Sequence, residues 1–349
     1  MVVYEYANQL VARGHQVTVV HGGALYESKY HRFTNLYLWL RGKTSKSAEL
    51  VSTPELRWYP LDNRVRMLCV PKISASYVPD GDAIFGNLFT ERDYPPEKGK
   101  RLYLMQGYGE WPELKGREDA FWRTETDKVV IARWLYEKGL ELGVPANRMT
   151  YIPNGIDHGK YRIIQPIEKR PQRIAMLYHT TFWKGTKDGI EALELARKKL
   201  PTLQAVLFGI FPRPKELPAW FEYRCDPPRE ELVKNIYNGS SIYLCPSWVE
   251  GFGLPAAEAM ACGCAVVSTD NGGIRDFGEN EVTALLCVPR NPEALAKNII
   301  RLLKDDALRI RLAKAGHERI QQFTWERSTD LLEQFLEDMI GRRSLQEKR

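Results

Sequence analysis

Two glutamates, Glu250 and Glu258, are separated by seven residues inside the stretch Pro246 to Gly273, PSWVEGFGLPAAEAMACGCAVVSTDNGG. A carboxylate accepts hydrogen bonds from both members of a pair of vicinal hydroxyls, the groups that a sugar or a ribose offers. Glu258 alone is also the acid that a first helical turn favours, and Glu250 alone a solvated loop residue. Together, and in this setting, they are read as flanking one ligand.

The setting is a strand, a broken loop and a helix. Ser241-Ile242-Tyr243-Leu244-Cys245 is an apolar run suited to a buried parallel strand, so Glu250 falls just past a strand end. Gly251, Phe252 and Gly253 loosen the backbone there, and Pro255 suits the first position of a helix, where its missing N–H costs nothing. The helix runs to about Cys262, Gly263 stops it, and Ala265-Val266-Val267-Ser268 opens the next strand. Such a turn aims free N–H groups and the positive end of a helix dipole at the crevice outside the strand ends, where phosphates bind in open α/β sheets. Glu258, about one turn into the helix, leans back toward the same crevice.

A second element brings a cation. Lys184-Gly185 stands at a loop-to-helix junction beyond the strand Ile174 to Leu177. An ammonium there stabilises a departing diphosphate more than a bound one, because negative charge gathers as the bond breaks. The competing reading is a solvated lysine at a helix start.

The pattern of Glu250, GFGLPAAEAMACGCAVV and NGG resembles the family-4 glycosyltransferases, retaining enzymes of the GT-B fold, over most of the chain. The resemblance implies that Glu250 contacts the donor sugar, that Glu258 holds the nucleotide ribose, and that the backbone around Phe252, Gly253 and Leu254 meets the diphosphate. Gly209, at the end of the strand Leu203 to Phe208, and His179 are grouped with the donor site. The family usually has an arginine where His179 stands, five residues before the lysine, and histidine is only partly charged at neutral pH. Arg275 is the candidate to compensate. On the acceptor side, Gln106-Gly107-Tyr108-Gly109-Glu110-Trp111 follows a strand end and combines polar groups with aromatic faces suited to sugar stacking. Many family members have a histidine there, whereas Gln106 cannot act as a base.

The 349 residues suffice for two domains, and 44% hydrophobic residues is ordinary for a globular protein. No run reaches the ~20 apolar residues of a membrane span, and no secretory leader is visible. A cytoplasmic protein is expected. The net charge of +6 is spread along the chain, without basic blocks, so nucleic acid is not an expected partner. Attraction to anionic diphosphates, or peripheral attachment to the inner face of a membrane, remains open. The six cysteines lack C-x-x-C spacing and are read as reduced and structural, with no metal expected.

A helix over Val2 to Arg13 and a strand over Gln16 to Val20 are expected first along the chain. The segment Tyr26 to Pro60 is aromatic and basic, and Gly42 to Ser47 reads as a surface loop. Val65 to Val70, Asp82 to Phe85, Arg101 to Met105, Lys128 to Ile131 and Met149 to Ile152 recur as strands with helical or turn-rich stretches between them, the mark of a parallel sheet covered by helices. The family's first strand and glycine-rich loop have no counterpart before Val2. A mis-set start is the expected reason, with truncation or a true lack of the strand as alternatives. Tyr161 to Arg173 is the expected linker. A second alternation follows, and a final helix over Trp325 to Ile340 would, by the resemblance, pack back on the first domain.

The expected fold is thus α/β, of the GT-B type, with two Rossmann-like domains facing a cleft and the first lacking its first strand. Residues 1–163 form the acceptor domain, 164–324 the donor domain and 325–349 the returning helix. The expected activity is transfer of a sugar, with retention, from a nucleoside diphosphate sugar to a hydroxyl of a carbohydrate or lipid-linked acceptor in polysaccharide or glycoconjugate synthesis. No cofactor is needed beyond that donor. Two alternatives are a catalytically impaired nucleotide-sugar-binding partner subunit and a nucleotide-sugar epimerase.

Overall fold

The computed structural model describes residues 1–22, 59–70, 73–87, 96–109 and 115–346, with side chains to residue 341. The expected loop Gly42 to Ser47, and Glu110 and Trp111 of the acceptor segment, lie outside the described residues. By mutual contact the chain separates into one unit of Met1–Met105, Thr124–Val129 and Trp325–Arg349 and a second of Gln106–Arg123 and Val130–Thr324.

In the first unit, the helix Val2–Ala12 buries Tyr4, Tyr6, Ala7, Leu10 and Val11. Their three- and four-residue spacing gives one apolar face. Strand β1 (Thr18–Gly22) pairs in parallel with β2 (Arg66–Val70), Thr18 opposite Arg66. In a second sheet β3 (Ala83–Asn87) pairs in parallel with β4 (Lys100–Met105), and β5 (Asp127–Val130) stands next to β4. The helix Trp325–Gln346, longer than expected, sets its Trp325 ring edge-on to Tyr6 at 5.5 Å. It also carries Asp330 and Glu333 as partners of Arg13 and His15.

The second unit is built on six parallel strands in the order β12-β11-β10-β7-β8-β9. They are β7 (Arg173–Leu177), β8 (Gln204–Gly209), β9 (Glu222–Cys225), β10 (Ile242–Cys245), β11 (Ala265–Thr269) and β12 (Ala284–Cys287), with the short β6 (Met149–Tyr151) ahead of them. Ile174, Met176, Leu207, Leu244, Val267 and Leu285 from this sheet, with Leu193, Ile299 and Leu312 from helices, form its core. The strand order reverses between β7 and β10. In an open α/β sheet this switch point leaves a crevice outside the carboxyl ends of the two strands. Lys184 follows β7 and Glu250 follows β10, so the sheet delivers both to that crevice.

Three elements differ from the sequence reading. The expected linker is a packed segment: Ile167 is buried, and the Arg170 guanidinium, 4% exposed, donates to Asn238 and to the carbonyls of Gln165 and Cys262. Its prolines gave the look of a tether, but the buried cation fixes it. The helix expected over Arg229 to Asn238 has only one α turn, Arg229–Glu231, and continues as a π-helix over Leu232–Tyr237. Strand β9 was not expected, because its polar residues Glu222, Tyr223, Arg224 and Cys225 suit a half-exposed edge rather than an apolar run.

Candidate active site

Glu250 is fixed from three sides. Its carboxylate Oε1 accepts from the Ser247 hydroxyl at 2.7 Å. Lys184 Nζ donates to Oε1 at 2.9 Å and to Oε2 at 2.8 Å. Its backbone N–H donates to the Asn271 carbonyl at 2.9 Å, and Glu250 bridges in parallel to Gly272. The residue is 8% exposed. A carboxylate so placed needs its charge answered, and lysine and serine answer it.

Lys184 ends a 3-10 turn, Phe182–Lys184, and the left-handed Gly185 (φ 60°) starts the helix Thr186–Lys199. A Cβ on Gly185 would meet the Pro246 carbonyl oxygen at 2.0 Å, so only glycine lets the β7 loop close on the β10 loop. The two loops therefore bring Lys184 to Glu250.

Gly253 (φ 90°) caps the helix Leu254–Ala261, whose Pro255 sits in the first turn as expected. The N–H groups of Ala256 and Ala257 turn back to the Gly253 carbonyl. Those of Gly253 and Leu254 are left at the positive end of the helix, beside a small cavity lined by Lys184, Ser247, Glu250, Gly253, Pro255 and Ala256. An ammonium, a helix N-terminus and a carboxylate around one cavity can hold an anion and an adjoining hydroxylated group together.

Glu258 does not line this cavity. It is buried, and the Tyr237 hydroxyl donates to its Oε2 at 3.3 Å. Burial pushes its carboxyl up to about 7, against the pull of the Tyr161 and Tyr237 hydroxyls and of Arg229. The two carboxylates expected to flank one ligand are thus housed differently, one ion-paired and one among tyrosines.

The other expected residues divide in the same way. Phe252 is 2% exposed and packs on Phe277 and Phe323, so only its backbone can face a ligand. Gly209 is required by packing: a Cβ there would lie 2.3 Å from the Tyr178 carbonyl oxygen. His179 Nδ1 accepts from the Thr181 N–H at 3.1 Å, which leaves the ring proton on Nε2. Burial and then Lys184 hold its pKa below the ordinary histidine value, so it is a neutral donor rather than a second cation. Arg275 forms a two-pronged pair with Asp270, at 2.7 and 2.9 Å, and is committed there.

The Gln106 carbonyl lies against Gly251, where a Cβ would come within 1.8 Å of it. Tyr108 donates its hydroxyl to Asp119 at 2.8 Å and sets its ring edge-on to Trp122. Ser247, Asn271 and Trp134 were not singled out from sequence. Ser247, three residues before Glu250, and Asn271, inside NGG, were visible as polar residues in an apolar stretch. Trp134, whose indole N–H donates to the Gly251 carbonyl at 2.9 Å, is remote in sequence and gave no signal.

With this geometry in place, residues 157–319 match the family model of the glycosyl transferases group 1. These residues are a group 1 glycosyltransferase domain. The group 1 domain contains Lys184, Glu250, Glu258 and both loops that carry the site. A D-inositol 3-phosphate glycosyltransferase of Corynebacterium jeikeium (strain K411) is 35% identical over 112 residues, 32% of this chain and 26% of that protein. The chain thus spans about a quarter of that relative's length. Sucrose-phosphate synthase from Thermosynechococcus elongatus superposes with a TM-score of 0.72 at 19% identity, over 97% of this chain and 92% of that one. Anabaena HepE in complex with UDP-glucose superposes with a TM-score of 0.59 at 19% identity, over 69% and 73%. These likenesses show the fold around the group 1 domain, an α/β protein of the GT-B class. Among the described residues no helix is long and apolar enough to cross a membrane.

Proposed function

We propose that the chain is a retaining glycosyltransferase that moves a sugar from a nucleoside diphosphate sugar to a hydroxyl of a carbohydrate or lipid-linked acceptor. The observation that carries this reading is the Lys184–Glu250 pair at the strand switch point, beside the N-terminus of the helix Leu254–Ala261. The glycosyltransferase name of the Corynebacterium relative and the UDP-glucose bound to HepE support the donor class.

In this reading Lys184 and the Gly253 and Leu254 N–H groups take the diphosphate charge that grows as the anomeric C–O bond breaks. Glu250 orients the sugar, and Glu258 holds the ribose hydroxyls. The acceptor oxygen forms the new bond on the face the diphosphate leaves, and its proton departs with the leaving group. An acceptor domain over 1–163, a donor domain over 164–324, a returning helix over 325–349, a role in polysaccharide or glycoconjugate synthesis and a cytoplasmic place of action belong to the same proposal. The decisive experiment is a panel of nucleoside diphosphate sugars monitored for released nucleoside diphosphate, with and without acceptor sugars.

One observation favours a second reading. His179, neutral and engaged through Nδ1, supplies no charge where the resembled family has an arginine. A catalytically impaired nucleotide-sugar-binding partner subunit fits that feature and predicts nucleotide binding without turnover.

A further inference from the structure

The loop that carries Glu250 is held from outside the donor cavity. Trp134, at the start of the helix Arg133–Glu141, donates its indole N–H to the Gly251 carbonyl at 2.9 Å. Its ring lies so close over Gly272 that a Cβ there would be 2.9 to 3.1 Å from three ring atoms. Gly272 is the bridge partner of Glu250, and its neighbour Asn271 accepts the Glu250 N–H. Trp134 therefore touches both backbone segments that set where the Glu250 side chain starts.

Trp134 is itself anchored. The buried Asp276 carboxylate, four residues after Gly272, accepts from the Arg133 N–H at 3.2 and 3.3 Å and from the Tyr151 hydroxyl at 3.2 Å. It thereby caps the helix that presents Trp134. Arg319 donates to the Asp276 carbonyl at 3.0 Å. A short 3-10 turn, Gly273–Asp276, is tied to the Glu250 loop at one end and to the tryptophan's helix at the other.

We infer that Trp134 is a positioning residue for Glu250, clamping the Glu250–Gly251 backbone by one hydrogen bond and by ring contact with Gly272. It does not line the cavity of Lys184 and Glu250 and touches no donor atom in this account. The inference rests on the transferase reading only for its catalytic consequence. The clamp itself is a property of the fold.

The test is Trp134→Phe, which keeps a ring over Gly272 and removes the N–H. Hydrogen exchange reads the clamp without turnover: the Glu250 amide should exchange about fivefold faster in the variant, as expected when one buried hydrogen bond is lost. Donor kcat should fall about three- to tenfold while donor KM stays within about twofold, since alignment rather than binding is disturbed. Exchange and kcat both within twofold of wild type would overturn the inference, as would a raised KM at constant kcat. If the variant does not fold, the wild-type Trp134 indole N–H is measured instead. Exchange at least about tenfold slower than free indole supports the clamp, and exchange at the free rate overturns it. Wild-type protein that turns over no donor contradicts the transferase reading alone, and the exchange data still decide the role of Trp134.

Discussion

Lys184 donates to both carboxylate oxygens of Glu250, at 2.9 and 2.8 Å. A diphosphate entering the cavity must share an ammonium that the carboxylate already holds. Glu250→Gln removes that competitor while keeping an acceptor for Ser247. Nucleoside diphosphate should then bind about three- to tenfold more tightly, the scale of one charge-assisted bond partly screened where Lys184 meets solvent, while sugar turnover falls at least about tenfold. Calorimetric titration beside a turnover assay checks this. Affinity and turnover falling together would contradict the competition.

Glu258 makes the fold sensitive to pH. Its carboxyl is pushed up to about 7 from the ordinary 4.5, so the folded state holds the proton more tightly than the unfolded chain. The associated stability is complete below about pH 4.5 and is lost as pH rises to about 7, on the order of 3 kcal/mol in total. Asp276, pushed up to about 6 from 3.8, acts with the same sign over a lower window. The informative quantity is therefore the difference between wild type and Glu258→Gln in denaturant unfolding. The variant should lose less stability between pH 5 and 8, and an equal loss in both proteins would contradict the assignment.

The strands, the loop and the helix around Glu250 were legible because apolar runs bounded by glycine and proline leave few alternatives. The Lys184–Gly185 junction was legible for the same reason. What failed to show were relationships through space. Nothing near Glu258 in the chain announces Tyr161 and Tyr237, and nothing near Glu250 announces Trp134. Arg170 turned a proline-bearing segment into a packed one because its partners, Asn238 and Cys262, lie far along the sequence. Gly251 was read as loop freedom, whereas its use is to admit the neighbouring Gln106 carbonyl.

His179 offers a gain-of-function test. It stands near Lys184 with its charge suppressed by burial and by that lysine. His179→Arg places a permanent cation there, and guanidinium suits phosphate geometry. Nucleoside diphosphate affinity should rise about tenfold at pH 7.5, the worth of one additional charge-assisted hydrogen bond. Unchanged or weaker binding in a folded variant would place His179 outside reach of the diphosphate.

The most direct test is release of nucleoside diphosphate from a panel of nucleoside diphosphate sugars by wild type and Lys184→Ala, with acceptor sugars present. One or more donors should be consumed, and Lys184→Ala should lower kcat by about 10²–10³-fold, the usual effect of removing one transition-state donor. Turnover by Lys184→Ala equal to wild type, or no turnover and no binding of any donor by wild type, would contradict the account.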